Sequence, residues 1–224
     1  MKSFIIAVNF KTYAQATGDN AVSLVKDCSQ ITTETGIPVI ACVQAPDIAR
    51  CCESGVIPIF SQHVDAIEAG AHTGQILASD VRQNGASGTL LNHSEDPYQF
   101  EDLKKAVALC KAQQLVIIIC AKTVEEAAKL TSLKPDYIAY EPPELIGGDV
   151  SVTTRPQSIK DVVAAIHAVD STMRVLVGAG VKSAQDVTVA QELGCQGVLL
   201  ASGVTKSDHP KVVLKELCAA VTRP

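Results

Sequence analysis

Eight short apolar, β-branched runs recur along the chain: "FIIAVN", "IPVIACV", "VIPIFSQ", "GTLLNH", "LVIIIC", "YIAYE", "RVLVGAG" and "GVLLAS". A strand with one wet face alternates apolar and polar residues, whereas these runs are nearly continuous, as expected of strands buried on both faces of a parallel sheet. Helical patterns separate them. In "SIKDVVAAIHAV" the residues Ile159, Val162, Val163, Ile166 and Val169 recur on one helical face. Further helices are predicted at "DNAVSLVKDCSQ", "EDLKKAVALCKAQ" and "TVEEAAKL", with Ser183 and Asp208 as N-caps of the last two helical stretches.

Dividing 224 residues among eight such units gives 28 each. That is close to the minimum for a strand, a crossover helix and two loops. The prediction is a single (β/α)8 barrel occupying residues 1–224 as one domain, with a doubly wound open sheet as the structural alternative. One stretch does not fit a simple strand-to-helix turn. "HVDAIEAGAHTGQI", after the third strand, is long enough to be a functional or contact loop.

A net charge of −5 without basic runs argues against a nucleic-acid footprint. No segment approaches membrane-spanning length and no leader pattern opens the chain, so a soluble, cytoplasmic protein is expected. The eight cysteines, Cys28, Cys42, Cys51, Cys52, Cys110, Cys120, Cys195 and Cys218, form no C-x-x-C pair and no cysteine–histidine cluster. They are expected to be buried, reduced thiols rather than zinc ligands or disulfides.

In a barrel of this kind chemistry sits at the carboxyl ends of the strands. The first strand ends in Asn9 and Lys11, two residues apart and so able to share a face. The fourth ends in His93, close to Glu95, whose carboxylate can orient a nearby donor. The sixth ends in Glu141, which desolvation at the barrel mouth would turn into a base. His63, His72, His167 and His209 lack such a setting and are expected to be structural. After Glu141 come two prolines and then Gly147 and Gly148, a rigid segment followed by a permissive one. "GAG" (178–180) and "ASG" (201–203) follow strands seven and eight, where many barrels hold a phosphate against backbone N–H groups. Together these residues describe a site for a small phosphate ester flanked by a base and an electrophile.

Through "NFKTY", "QAPDI", "QHVD", "AHTGQI", "LLNHSE", "YEPPELIGG", "GAG" and "LLASGV", in that order, the sequence resembles the triosephosphate isomerase family, specifically the short form found among archaea. The resemblance implies a TIM barrel that interconverts dihydroxyacetone phosphate and D-glyceraldehyde 3-phosphate through an enediolate, in glycolysis and gluconeogenesis, with no metal or organic cofactor. It implies Glu141 as base, His93 as neutral electrophile, Lys11 as electrostatic stabiliser and Asn9 as a polar partner at the reacting oxygens. Ile146, Gly147, Gly178, Gly180, Ala201 and Ser202 are implied as further substrate-binding residues. A homodimer or homotetramer is implied too, with the loop around Thr73 at the interface. Two features depart from the family: the chain is shorter than the roughly 250 residues of a typical barrel, and the family's Gly-Thr-Gly is here Gly147, Gly148 and Asp149. A barrel acting on another phosphate ester, and a non-catalytic barrel, are the competing functions. A coupled assay with glyceraldehyde phosphate separates them.

Overall fold

All eight apolar runs become strands: β1 (Ile5–Asn9), β2 (Val39–Val43), β3 (Ile59–Ser61), β4 (Gly88–Leu91), β5 (Val116–Ala121), β6 (Tyr137–Tyr140), β7 (Arg174–Val177) and β8 (Gly197–Leu200). The computed structural model describes residues 4–142 and 154–222. Each strand pairs in parallel with the next, and β8 closes on β1, with Val8 opposite Leu200. The closed barrel excludes the open doubly wound sheet. Around it run α1 (Asp19–Thr35), α2 (Ile48–Ser54), α3 (Ala78–Gln83), α4 (Phe100–Ala112), α5 (Val124–Thr131), α6 (Pro156–Val169), α7 (Ala184–Glu192), α8 (Ser202–Thr205) and α9 (Pro210–Ala219). Among the described residues no helix is long and apolar enough to cross a membrane.

The strands are buried on both faces because they serve two cores. Ile5, Ala7, Ile40, Cys42, Phe60, Leu90, Ile118, Cys120, Ala139, Leu176 and Leu199 fill the barrel interior. Their alternate neighbours, such as Ile6, Val8, Val39, Leu91, Ile117 and Ile138, pack outward against the helices. This two-sided burial is the physical origin of the unbroken hydrophobic runs. Seven of the eight cysteines are buried, Cys52 is half-buried, and all are free thiols.

The helix boundaries follow local chemistry. At α7 the Ser183 backbone N–H donates to the Asp186 carboxylate at 2.8 Å, so Ser183 is the cap, as its sequence predicts. At α9 the cap is His209 and not Asp208, because Pro210 occupies the first helical position, where its missing N–H costs nothing. The insertion after β3 carries no helix or strand from Gln62 to Leu77, and residues 68–75 are exposed. Its neck is closed by two hydrogen bonds. The Asp65 N–H donates to the Ile76 carbonyl at 2.9 Å, and the Ile76 N–H donates to Asp65 Oδ2 at 2.6 Å.

Candidate active site

Interior positions on β1 and β6 run Ile5, Ala7, Asn9 and Tyr137, Ala139, Glu141, so strand periodicity alone carries Asn9 and Glu141 into the mouth of the barrel. Lys11 arrives differently. β1 stops at Asn9, and Lys11 lies in a turn with φ 48°, a left-handed conformation that costs a non-glycine residue about 1–2 kcal/mol. Two side chains hold it there. Asn9 Oδ1 accepts the Lys11 N–H at 3.0 Å, and Gln62 Nε2 donates to the Lys11 carbonyl at 3.0 Å and to the Cys42 carbonyl at 3.0 Å. Gln62 opens "QHVD", and nothing in the sequence signals this function.

His93 needs a comparable device. Leu90 faces the interior and Leu91 the helices, so strict alternation would send residue 93 outward. Asn92 breaks the alternation with φ 58°. Its Nδ2 donates to the Cys120 carbonyl at 2.9 Å and to Glu126 Oε1 at 3.2 Å. The strand ends and His93 turns into the mouth, with Nε2 3.7 Å from Glu141 Oε2. The Glu95 backbone N–H donates to His93 Nδ1 at 3.1 Å. An acceptor Nδ1 carries no proton, so a neutral ring must carry its proton on Nε2, the nitrogen aimed at the site.

The charge state of the pair follows from burial. Burial pushes the Glu141 carboxyl up to about 7, against the Cys120 thiol hydrogen bond and the Lys11 cation, which both favour the carboxylate. The same burial, helped by Lys11, lowers His93 below its ordinary value. The 3.7 Å contact between them is therefore no ion pair: it exceeds hydrogen-bond length, and burial disfavours charge on both partners. Glu141 Oε2 is buried and has no hydrogen-bond partner among the described residues. Lys11 Nζ lies 2.6 Å from Glu95 Oε1, so Glu95 orients a donor as its position suggested. Cys120, which the sequence presents as one more core thiol, touches the carboxylate of Glu141.

The remaining positions lie at neighbouring strand ends. Gly178 follows β7, and its N–H donates to the Tyr140 carbonyl at 2.8 Å. A Cβ there would lie 2.3 Å from Glu141 Cγ. In this structure the absent side chain at 178 thus makes room for the carboxylate, a packing function distinct from the phosphate approach expected of it. Gly180 takes φ 72° in the turn after β7. Ala201 caps α8 and Ser202 is its first residue, directly after β8 and beside β1. Ile146 and Gly147, with Gly148 and Asp149, lie outside the described residues.

The family model for triosephosphate isomerase matches residues 4–221 of the chain. A triosephosphate isomerase of Methanothermus fervidus is 42% identical over 214 residues, covering 95% of this chain and 96% of that protein. One from Methanosarcina acetivorans is 39% identical over 222 residues, covering 99% and 100%. Among solved structures, a crystal structure of triosephosphate isomerase from Bartonella henselae superposes with a TM-score of 0.75 at 20% identity, covering 97% of this chain and 98% of that one, a likeness of fold.

Proposed function

Since this chain belongs to the triosephosphate isomerase family, we propose that Glu141 is its catalytic base, His93 its neutral electrophile, Lys11 the fixed cation and Asn9 a polar partner at the reacting oxygens. The reaction is the interconversion of dihydroxyacetone phosphate and D-glyceraldehyde 3-phosphate in glycolysis, an intramolecular aldose–ketose isomerisation. One observation carries the assignment of roles: a buried Glu141 Oε2, without a hydrogen-bond partner among the described residues, faces the Nε2 of a histidine whose other nitrogen is already an acceptor.

Glu141 takes the proton from the carbon next to the carbonyl, and its buried setting makes it a stronger base than an exposed carboxylate. His93 donates from Nε2–H to the carbonyl oxygen as charge develops there, then moves protons between the two oxygens of the enediolate. This division between a carboxylate base and a neutral imidazole is the one known for the family as a whole. In this chain no helix begins between the end of β4 and Phe100, so burial and the Lys11 charge supply what keeps the ring neutral. Lys11, held by Glu95 and by its strained turn, stabilises the developing negative charge. Gly180, Ala201 and Ser202 bind the substrate phosphate from one side. Gly178 does so too while leaving room for the base, and Ile146 and Gly147 are further substrate-binding residues. These proton transfers ask for no metal or organic cofactor. The chain acts as a single catalytic domain, in the cytoplasm.

The pH profile tests the base. Glu141 works only when ionised, so kcat/KM should fall in proportion to the carboxylate fraction below about pH 7 and level off above it. Burial and Lys11 move the protonation of His93 to lower pH than that of an ordinary histidine. The substrate phosphate, whose dianion takes up one proton at about pH 6, adds a separate fall below that. A coupled assay with glyceraldehyde phosphate across this range measures the profile. A kcat/KM that is flat down to the bottom of the carboxylate limb would remove Glu141 from the role.

The exposed tip around Thr73, on a loop whose neck is closed, supports an assembly of two or four copies joined there. Thr73→Glu should dissociate it and lower activity together. Ultracentrifugation alongside the same assay reads both, and full activity with unchanged sedimentation would place the tip in solvent.

A further inference from the structure

His63, just after β3, touches none of the groups assigned to the chemistry, yet it stands where two loops meet. Its Nδ1 lies 2.9 Å from Asp96 Oδ2 and its Nε2 3.4 Å from Asp65 Oδ1. Its ring stacks on Tyr98, with centroids 5.0 Å apart and planes 15° from parallel. The Tyr98 hydroxyl donates to the Val64 carbonyl, and the Tyr98 backbone N–H donates to Asn92 Oδ1 at 3.1 Å. Asp96 in turn donates its N–H to the His93 carbonyl at 2.9 Å, closing a turn around His93 and Glu95.

We infer that His63, with Asp96 and Tyr98, forms a clamp that positions the turn bearing His93 and Glu95, and that joins this turn to the neck of the 66–75 insertion. The inference rests on the roles proposed above for His93. Residues 92–99 contain no helix or strand, so side-chain bonds must fix where His93 stands. Asn92 and the closing hydrogen bond of Asp96 shape the turn from within. Beside the Glu95–Lys11 contact, the contacts to β3's exit tie the turn to the barrel at a further place: Asp96 through His63, and Tyr98 through Val64. The carboxylate of Asp65 that meets His63 also accepts the Ile76 N–H that closes the insertion, so the loop that reaches outward and the turn that carries the electrophile share one anchor. A cleft of about 620 Å³ opens beside this anchor, and none of Asn9, Lys11, His93 or Glu141 lines it. His63 is thus a positioning residue. A displacement on the order of 1 Å in a catalytic group is enough to slow a reaction by about a hundredfold.

The geometry distinguishes the two nitrogens, which makes the test specific. In the full-length protein, His63→Ala should lower kcat about tenfold with KM within about twofold of the parent, since the phosphate-binding positions lie elsewhere. His63→Asn puts an amide N–H where Nδ1 stands and should recover most of kcat. His63→Gln extends its amide toward Nε2 and Asp65, and should not. Asp96→Ala, at an exposed side chain that removal leaves foldable, should repeat the His63→Ala loss with little change in Tm. Labelled-histidine NMR should show the His93 Nδ1 resonance shifted in His63→Ala and restored in His63→Asn. The inference is overturned if His63→Ala and Asp96→Ala keep kcat within about twofold, or if Asn and Gln at 63 recover activity equally. The parent in the same assay separates the two layers: an active parent with unaffected variants removes the clamp alone, whereas an inactive parent removes the proposed roles and the clamp with them.

Discussion

Glu141→Gln should lower kcat by roughly 10²–10⁴-fold, the contribution of a positioned general base, while substrate analogues bind about as well as before. Glutamine keeps the length and planarity of the side chain beside Gly178, and it keeps an oxygen that can accept from the Cys120 thiol. It loses only basicity. The same substitution has a second, independent signature in stability. The carboxyl is raised from 4.5 to about 7 by burial, so between those values the folded protein holds a proton that the unfolded chain has released. Stability therefore falls as pH rises through that window, and the whole cost is present above about pH 7. The neutral amide carries no such cost. Glu141→Gln should be more stable than the parent at pH 8 and should lose that advantage at pH 4.5. Thermal melts at the two values, with single-turnover assays beside them, check both arms. Turnover close to that of the parent would end the assignment of the base.

A group built to be reactive is here built at the expense of the fold, and the sequence shows how much of that arrangement is legible beforehand. Glu141 and Asn9 are legible because period-two alternation carries straight through the strand into the site. The eight strands are legible for a related reason, since two-sided burial leaves an apolar run that only a closed or doubly covered parallel sheet explains. His93 is legible from its company in "NHSE" and from the family resemblance. Its aim into the mouth, however, contradicts the alternation of β4 and depends on a left-handed Asn92. Asparagine enters the left-handed region more readily than most residues, but the bonds that fix it there, to Cys120 and Glu126, come from another strand and helix and leave no local trace. Lys11 is a similar case, held by Gln62 from 51 positions away. What the sequence hides is thus the set of contacts that bring distant segments together at places where the backbone departs from its preferred conformations. Gly178 adds a different lesson. Its position after β7 suggested a close approach of backbone to phosphate, and the structure gives it a steric reason as well, the space needed by Glu141 Cγ.

His93→Ala should lower kcat by about 10²–10³-fold, the cost of removing one donor aimed at a developing oxyanion, and should leave KM nearly unchanged. The reasoning turns on when the Nε2–H does its work. In the ground state a carbonyl oxygen accepts a hydrogen bond of ordinary strength, whereas in the enediolate that oxygen carries negative charge and the same bond is strengthened. Lys11 does not depend on His93 for its position, since Asn9, Gln62 and Glu95 hold it, so its charge should survive the substitution and leave a residual rate above that of solution. Loss of the ring also removes the group that faces Glu141 Oε2 at 3.7 Å and opens that oxygen to water, which should lower the carboxyl from about 7 toward the ordinary range. The acid limb of the residual activity should accordingly move to lower pH in His93→Ala. That displacement separates an electrophile sharing a dry site with the base from a residue that only binds substrate. A variant with raised KM, unchanged kcat and an unmoved limb would make His93 a binding residue.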